Sequence, residues 1–534
     1  MTFEAQTLAT TSAFEVLGPI MVGPSSSHTA GALRVAHVAA HLVDDSIHRV
    51  RFILWNSFSH TYQGHGTDRA LVAGILGFTT DDERIRDAFT FADEAGLAYS
   101  FLQAGDDDSI HPNTVDIELD TVRGKTISVR GESLGGAKIR ISRINGVGVE
   151  ISGIYATLFI THQDAPGALA SITHALATAE VNIAFCRTYR AEASGYAYTV
   201  VETDGTISDD MLKSIQALPL VETASFIKLP GSAQSLVPGL STRDLFDDGA
   251  QMLAVCKERG INVGQLMQLR EEMLTSADVA RTSMKRVIDV MRRETEDPRK
   301  DPRPSLGGYL GGEAQLIMQH AEALASPLMG TVQSDAISRA MAVLERSASM
   351  GVIVAAPTAG SAGVVPGAVL ALAEHLHIDE EQLAEALYCA AGVGLILSAN
   401  ACVAGAEGGC QAEVGSAAAM AAAALVQLMG GSPEQALDAA SISIQNLLGL
   451  ICDPVHGLVE VPCQNRNAIG VAAAFSSAQL VLSGIKSVAP FDETAHVMLQ
   501  VGHALPSSLR ETAQGGLALA PSAQRACTSC MGCR

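Results

Sequence analysis

The spacing of apolar and polar positions divides the chain into three stretches. Residues 10–150 mix two periods. Positions 29–43 carry apolar side chains at helical intervals, and Arg49 to Leu54 reads as a strand. VDIEL, TISVR and KIRIS, within residues 113–142, are short β-type runs between Gly-containing turns, and GDDDSIHPN from Gly105 reads as a loop. In residues 153–229, IYATLFI, VNIAFCRTYR, GYAYTVVET and VETASFIKL read as strands. ALASITHALATAE and SDDMLKSIQAL read as helices, the second with Ser208 as its N-cap. The order β-α-β-β-α-β is that of a ferredoxin-like module. GSAQSLVPGLSTRD reads as a linker. From Leu245 the pattern is helical and alanine-rich, with one charged, Pro-containing loop expected from Glu294 to Gly308. Ser432 and Pro433 start a helix that Gly449 is expected to stop, which leaves Cys452 just past a helix end.

These patterns predict an α+β multidomain fold. Its parts are a mixed α/β region over 10–150, the ferredoxin-like module over 153–229, and a mostly α-helical region over 245–534. Composition agrees: 48% of the 534 residues are hydrophobic and 17% charged, enough to bury large cores. The net charge of −22, with no long basic run, argues against nucleic acid or an anionic membrane as partner. The N-terminus has neither the basic start nor the apolar core of a signal peptide. Tyr388 to Ala404 is broken by Ser398 and Asn400, and Ser416 to Met429 is too short to cross roughly 30 Å of hydrocarbon. Both read as buried helices of a cytoplasmic protein. In that compartment the ten cysteines imply metal, catalysis or packing rather than disulfides. Cys186, Cys256, Cys389 and Cys402 have apolar neighbours and read as core residues.

The candidate chemistry lies elsewhere. Cys410 sits in AEGGCQAEVG, and Cys452 and Cys463 flank a turn-rich segment. Cysteines on loops at helix ends suit an iron–sulfur cluster, because helix N-termini stabilise thiolates. The same residues could fill a packed Ala/Gly core, although Asn465, Arg466 and Asn467 nearby count against a purely apolar interior. GPSSSHTAG, at 23–31, gathers hydroxyls and His28 at a helix entry, where backbone N–H groups suit a carboxylate; an ordinary N-cap reads equally well. His65, between glycines in QGHGTDRAL, reads either as a general base or as a surface-loop histidine. APTAGSAGVVPG, at 356–367, is a second small-anion cradle without the lysine of a nucleotide-binding loop. The chain ends in ACTSCMGCR, with Cys527, Cys530 and Cys533.

Together these motifs resemble the bacterial iron–sulfur-dependent L-serine dehydratases. GPSSSHTAG and GHGTDRAL resemble the family's β part. APTAGSAGVVPG, GCQAEVGSAAAMAA and Cys463-Gln-Asn-Arg-Asn resemble its α part, so the likeness spans nearly the whole chain. The central unit, with Asp164-Ala165-Pro166-Gly167, resembles an ACT domain in a single-chain β–ACT–α arrangement. The β-rich stretch before it is similar to an allosteric substrate-binding subdomain.

The resemblance implies a 4Fe-4S cluster held by Cys410, Cys452 and Cys463, with one iron left open as a Lewis acid for the hydroxyl of L-serine. It implies a substrate carboxylate held by Ser25, Ser26, Ser27 and Thr29, by Thr358, Ala359, Gly360 and Ser361, and by Arg466 and Asn467. His65 is the implied base, His28 a second acid/base group, and Cys533 a tail ligand to the open iron. The products are pyruvate and ammonia. A homodimer and serine regulation through the ACT domain are also implied. Three other readings compete: desulfuration of L-cysteine on the same cluster, a pyridoxal-phosphate deaminase using Lys138 of GGAKIR, and an amino-acid sensor. The Lys138 reading lacks a phosphate-binding glycine loop.

Overall fold

The computed structural model describes residues 11–43, 45–136, 138–153, 155–190, 195–203, 207–228 and 245–526. The chain divides into two compact units, one made of Met1–Ser26 with Gly239–Arg534, the other of Ser27–Pro238. The first unit begins with helix α1 (Ala13–Val16) and strand β1 (Ile20–Val22).

The second unit opens with α2 (Ala32–His41), β2 (Ile47–Trp55), α3 (Asn56–Thr61), α4 (Thr67–Ile75) and α5 (Ala88–Glu94). Strands β3 (Ala98–Gly105), β4 (Thr114–Thr121), β5 (Thr126–Gly135), β6 (Lys138–Ile144) and β7 (Val147–Ile151) follow. They complete a six-stranded sheet of order β3-β2-β4-β5-β6-β7. Only the β2–β3 pair is parallel. The period-two pattern decides which face is covered. Val50, Phe52 and Leu54 of β2 and Val115, Ile117 and Leu119 of β4 are buried. On the other face Arg49 and Arg51 pair with Asp120 and Glu118 across the strands.

The elements β8 (Ala156–Gln163), α6 (Ala168–Thr178), β9 (Ile183–Arg190), β10 (Tyr196–Thr203), α7 (Asp209–Gln216) and β11 (Val221–Ile227) come next. They form an antiparallel sheet of order β11-β8-β10-β9, with the β-α-β-β-α-β sequence expected. Leu158, Ile160 and Val201 of the strands share one core with Ile172 and Leu176 of α6 and Ile215 of α7. Ser208 caps α7 by accepting the Met211 N–H. Cys186 is not a core residue: β9 is an edge strand, and Cys186 is exposed there. The linker over 231–244 lies outside the described residues.

The rest of the first unit is helical: α8 (Gly249–Arg259), α9 (Val263–Leu274), α10 (Ala277–Lys300), α11 (Glu313–Ala323) and α12 (Gly330–Ala348). Strand β12 (Val352–Val354) then pairs with β1. Helices α13 (Val364–His375), α14 (Glu380–Asn400), α15 (Ser416–Leu428), α16 (Pro433–Gln445), α17 (Cys463–Leu482), α18 (Phe491–Ala504) and α19 (Pro521–Ala526) follow. Among the described residues one helix, α14, is long and apolar enough to cross a membrane, and 72% of its apolar window is buried inside the protein. It belongs, with α13 and α15, to a large core of Ala, Val and Leu side chains.

Two expectations about helix ends fail. The loop expected from Glu294 begins only after Lys300, because α10 runs through Pro298. Proline in the last turn costs one helical hydrogen bond, and tertiary anchors hold that turn. Arg299 pairs with Glu296 and Asp335, and Glu294 accepts the Val354 N–H at 2.6 Å. Likewise α16 stops at Gln445, ahead of Gly449. The Gly449 N–H donates instead to Gln411 Oε1 at 2.9 Å.

Buried carboxyl groups fasten several loops of this unit. Glu271 accepts from Ser12 and Ala13, Glu345 from Gly312 and Ala314, and Glu460 from Ser305, Gly307 and Tyr309. Glu294 is fully buried, and its Oε1 has no hydrogen-bond partner among the described residues. Burial pushes its carboxyl up to about 8. The folded chain then keeps a proton that the unfolded chain loses near pH 4.5. Stability falls as pH rises through that window. The stability of the wild type is expected to fall relative to Glu294→Gln, by on the order of 3 kcal/mol between about pH 5 and about pH 8. Urea titrations of both proteins at the two pH values check this; a difference that does not change with pH would refute it.

Candidate metal centre and buried histidines

Cys410 and Cys463 stand at helix ends of the helical unit and Cys452 on the loop between two helices, and all are buried. Cys410 caps a π-helical turn, Gln411–Gly415, that leads into α15. Cys452 follows α16; its N–H donates to Leu509 and its carbonyl accepts from Glu511. Cys463 is the first residue of α17. Gln411 holds two of these segments together. Its N–H donates to the Leu450 carbonyl, its Oε1 accepts from Gly449, and its Nε2 donates to Met498.

Glu413 joins the cysteines, and sequence reasoning missed it. Its carboxylate and the sulfurs of Cys410 and Cys452 all lie within 4.8 Å of one another. Its spacing, three residues past Cys410 at the same helix start, was the available signal. Glu413 Oε1 accepts the Thr358 hydroxyl at 2.8 Å. A Cβ on Gly405 would stand 2.6 Å from Glu413 Oε2, so a side chain there would push the carboxylate out of this position. Asn467 fixes the neighbouring turn. Its Nδ2 donates to the Gly360 and Cys463 carbonyls, and its Oδ1 accepts the Gly363 N–H. Thr358, Ala359, Gly360, Ser361 and Asn467 therefore gather beside the cysteine loops. Arg466, one turn into α17, donates to Cys410 Sγ and to Asp453.

The donor set suits a metal group. A hydrogen bond to Cys410, then burial, raise the Cys452 thiol well above its ordinary range. Burial, then the charge of Cys410, do the same for Cys463. Burial also raises Glu413, against the pull of Thr358 and Arg466, and pushes Glu511 up to about 8. Soft thiol donors that resist ionisation through lack of positive charge become ligands when a cationic centre supplies it. Cys527, Cys530 and Cys533 lie outside the described residues.

A second group lies in the other unit. His28 and His65 stack with ring centroids 4.3 Å apart. The Ser27 and Ser57 hydroxyls lie 2.9 Å from the two nitrogens of His28. Thr29 donates to the His65 carbonyl at 2.7 Å. His65 is fully buried rather than on a surface loop. Its Nδ1 faces the Thr61 carbonyl at 3.2 Å. A carbonyl only accepts, so Nδ1 carries the proton and Nε2 keeps its lone pair. That Nε2 is buried and without a hydrogen-bond partner among the described residues. Burial pushes the His65 ring down to about 4 and the His28 ring well below its ordinary value, so both are neutral at pH 7. Ser25 and Ser26, both buried, end the N-terminal segment counted with the helical unit. Lys138 begins strand β6.

The comparisons with known proteins divide along the chain. Residues 12–132 match the family model for the serine dehydratase beta chain, and residues 258–518 that for the alpha chain. A probable L-serine dehydratase alpha chain of Bacillus subtilis is 42% identical over 283 residues, 52% of this chain and 92% of that protein. The L-serine dehydratase beta chain of Peptoniphilus asaccharolyticus is 40% identical over 218 residues, 41% of this chain and 98% of that protein. An L-serine dehydratase of Streptomyces coelicolor is 30% identical over 520 residues, 94% of this chain and 97% of that protein. With both segments in one polypeptide, the chain belongs to the serine dehydratase family of lyases.

Proposed function

We propose that the protein is an L-serine ammonia-lyase that converts L-serine to pyruvate and ammonia, with an iron–sulfur cluster held by Cys410, Cys452 and Cys463. The observation that carries this reading is that three buried cysteines lie inside the segment that matches the alpha chain, the Cys410 and Cys452 sulfurs within 4.8 Å of each other and Cys463 near enough to feel the charge of Cys410. When bound, the cluster would supply Lewis acidity to the substrate hydroxyl. The chain supplies the rest. The hydroxyls of Ser25, Ser26 and Ser27 and the backbone N–H groups of the turn from Thr358 to Ser361 offer donors for a carboxylate, while Thr29 steadies the His65 loop by donating to the His65 carbonyl. His65 Nε2 takes the Cα proton as water is lost, and the resulting aminoacrylate tautomerises and hydrolyses to pyruvate and ammonia. A neutral His65 supports this role, because its free lone pair is already available at pH 7.

The module over 153–229 is proposed to act as an ACT domain that responds to serine, and Cys533 to approach the cluster from the tail. Both rest on the family likeness alone.

Protein purified without oxygen is expected to hold about four iron and about four acid-labile sulfide per chain. Cys452→Ser should lose most of both; active wild type free of iron would end this reading. Serine and cysteine compared as substrates separate dehydration from desulfuration.

Replacing His65 with Gln is expected to lower kcat by about 10²–10⁴ while iron content holds. A stopped assay for pyruvate reads the change, and an unaltered kcat would remove His65 as the base.

A further inference from the structure

Cys463 and Arg466 lie three residues apart on α17, so they share one face of the helix. The Arg466 side chain is only 16% exposed. Its Nη1 donates to Cys410 Sγ at 3.3 Å and to the Ile451 carbonyl at 2.9 Å. Its Nη2 donates to Asp453 Oδ1 at 2.7 Å. Asp453 is itself buried, and its other oxygen accepts the Leu517 N–H at 2.6 Å. Gly516 makes that approach possible. It adopts φ 59°, and a Cβ there would stand 2.4 Å from Asp453 Oδ2. A string of hydrogen bonds thus runs from Leu517 through Asp453 and Arg466 to the sulfur of Cys410.

This arrangement commits three of the five guanidinium N–H groups of Arg466 to the protein. Both hydrogens of Nη1 have protein acceptors, and Asp453 holds Nη2. A planar fork can serve a sulfur on one loop and a carboxylate on another; a lysine ammonium is a single point charge. Hydrogen bonds to ligand sulfurs are among the terms that set the potential of an iron–sulfur cluster, and groups that hold the ligands are needed nearly as much as the ligands.

We propose that Arg466 is a positioning residue that donates an N–H···S hydrogen bond to the cluster ligand Cys410, with Asp453 and residues 516–517 holding it in place. This rests on the cluster reading above. The bond and the positive charge stabilise electron density on the sulfur, so their loss lowers the cluster's midpoint potential and eases its oxidation by dioxygen.

The test compares wild type, Arg466→Lys, Arg466→Gln and Asp453→Asn, all purified without oxygen. Iron and sulfide per chain, midpoint potential, the rate of visible bleaching in air, and the melting temperature of the chelated apoproteins are measured. Arg466→Gln is expected to bleach about tenfold faster than wild type or more, with a lower potential. Arg466→Lys should fall between them, and Asp453→Asn should follow Arg466→Gln. The apoproteins should melt together. A variant that cannot load cluster while its apoprotein melts like wild type supports the proposal equally. Bleaching and potential unchanged in Arg466→Gln overturn it. If that variant instead shows only a raised KM for serine, Arg466 is a substrate ligand and the proposal fails. A lowered apoprotein melting temperature with an unchanged potential makes the role merely structural and also overturns it. Iron-free active wild type would fail the cluster reading first, and this inference with it.

Discussion

The constraint on which the helical unit depends is charge. Cys410, Cys452 and Glu413, groups that ionise to anions, bring their sulfurs and a carboxylate oxygen within 4.8 Å of one another, and buried Asp453 is tied to Cys410 through Arg466. Burying that many together is unfavourable unless they stay protonated or receive positive charge. The chain brings one guanidinium, Arg466, and binds it to two of them. It leaves the thiols of Cys452 and Cys463 raised well above their ordinary range. A site built this way is poorly satisfied by itself and gains from a cationic centre.

Such a site needs loops delivered from several directions, and the alanine-rich helices make that possible. Small side chains let α13, α14, α15 and α17 approach closely, so the loops at their ends meet. Packing against α12 is as tight, since a Cβ on Gly363, at the start of α13, would lie 2.1 Å from the Ala340 carbonyl. Side-chain amides then lock the loops. Gln411 joins the Cys410 turn to residues 449–450, and Asn467 joins the turn at 360–363 to α17. The same logic serves the buried carboxyl groups that fasten the N-terminal segment and the loop over 301–312. In each case a polar side chain satisfies backbone N–H groups that no helix or strand can reach.

The histidine pair of the other unit obeys a related rule. Two stacked, fully buried imidazoles cannot readily both carry charge, and burial keeps them neutral. The Thr61 carbonyl fixes which nitrogen of His65 bears the proton. The lone pair is thereby left on Nε2 by a backbone group whose identity in the sequence carries no signal.

Much of the architecture was legible in the sequence. Alternation of Val50, Phe52 and Leu54 against Arg49 and Arg51 declared a half-buried strand, and Ser432-Pro433 declared a helix start, because these signals act within a few residues. The order of elements over 153–229 was readable for the same reason. Pro298 and Gly449 misled, since the forces that carry α10 past a proline and end α16 early come from Asp335, Val354 and other residues distant in sequence. Cys186 misled because an apolar local setting does not reveal an edge strand. The cysteines could be singled out as candidates, but their neighbours could not. Glu413, Gln411 and Asp453 look like ordinary polar residues until the chain is folded. Local spacing determined which residues were candidates for chemistry and where most helices and strands begin. Only tertiary packing decided which of them meet, and which thiol receives the guanidinium, because burial and hydrogen bonding are set by neighbours that the chain supplies from afar.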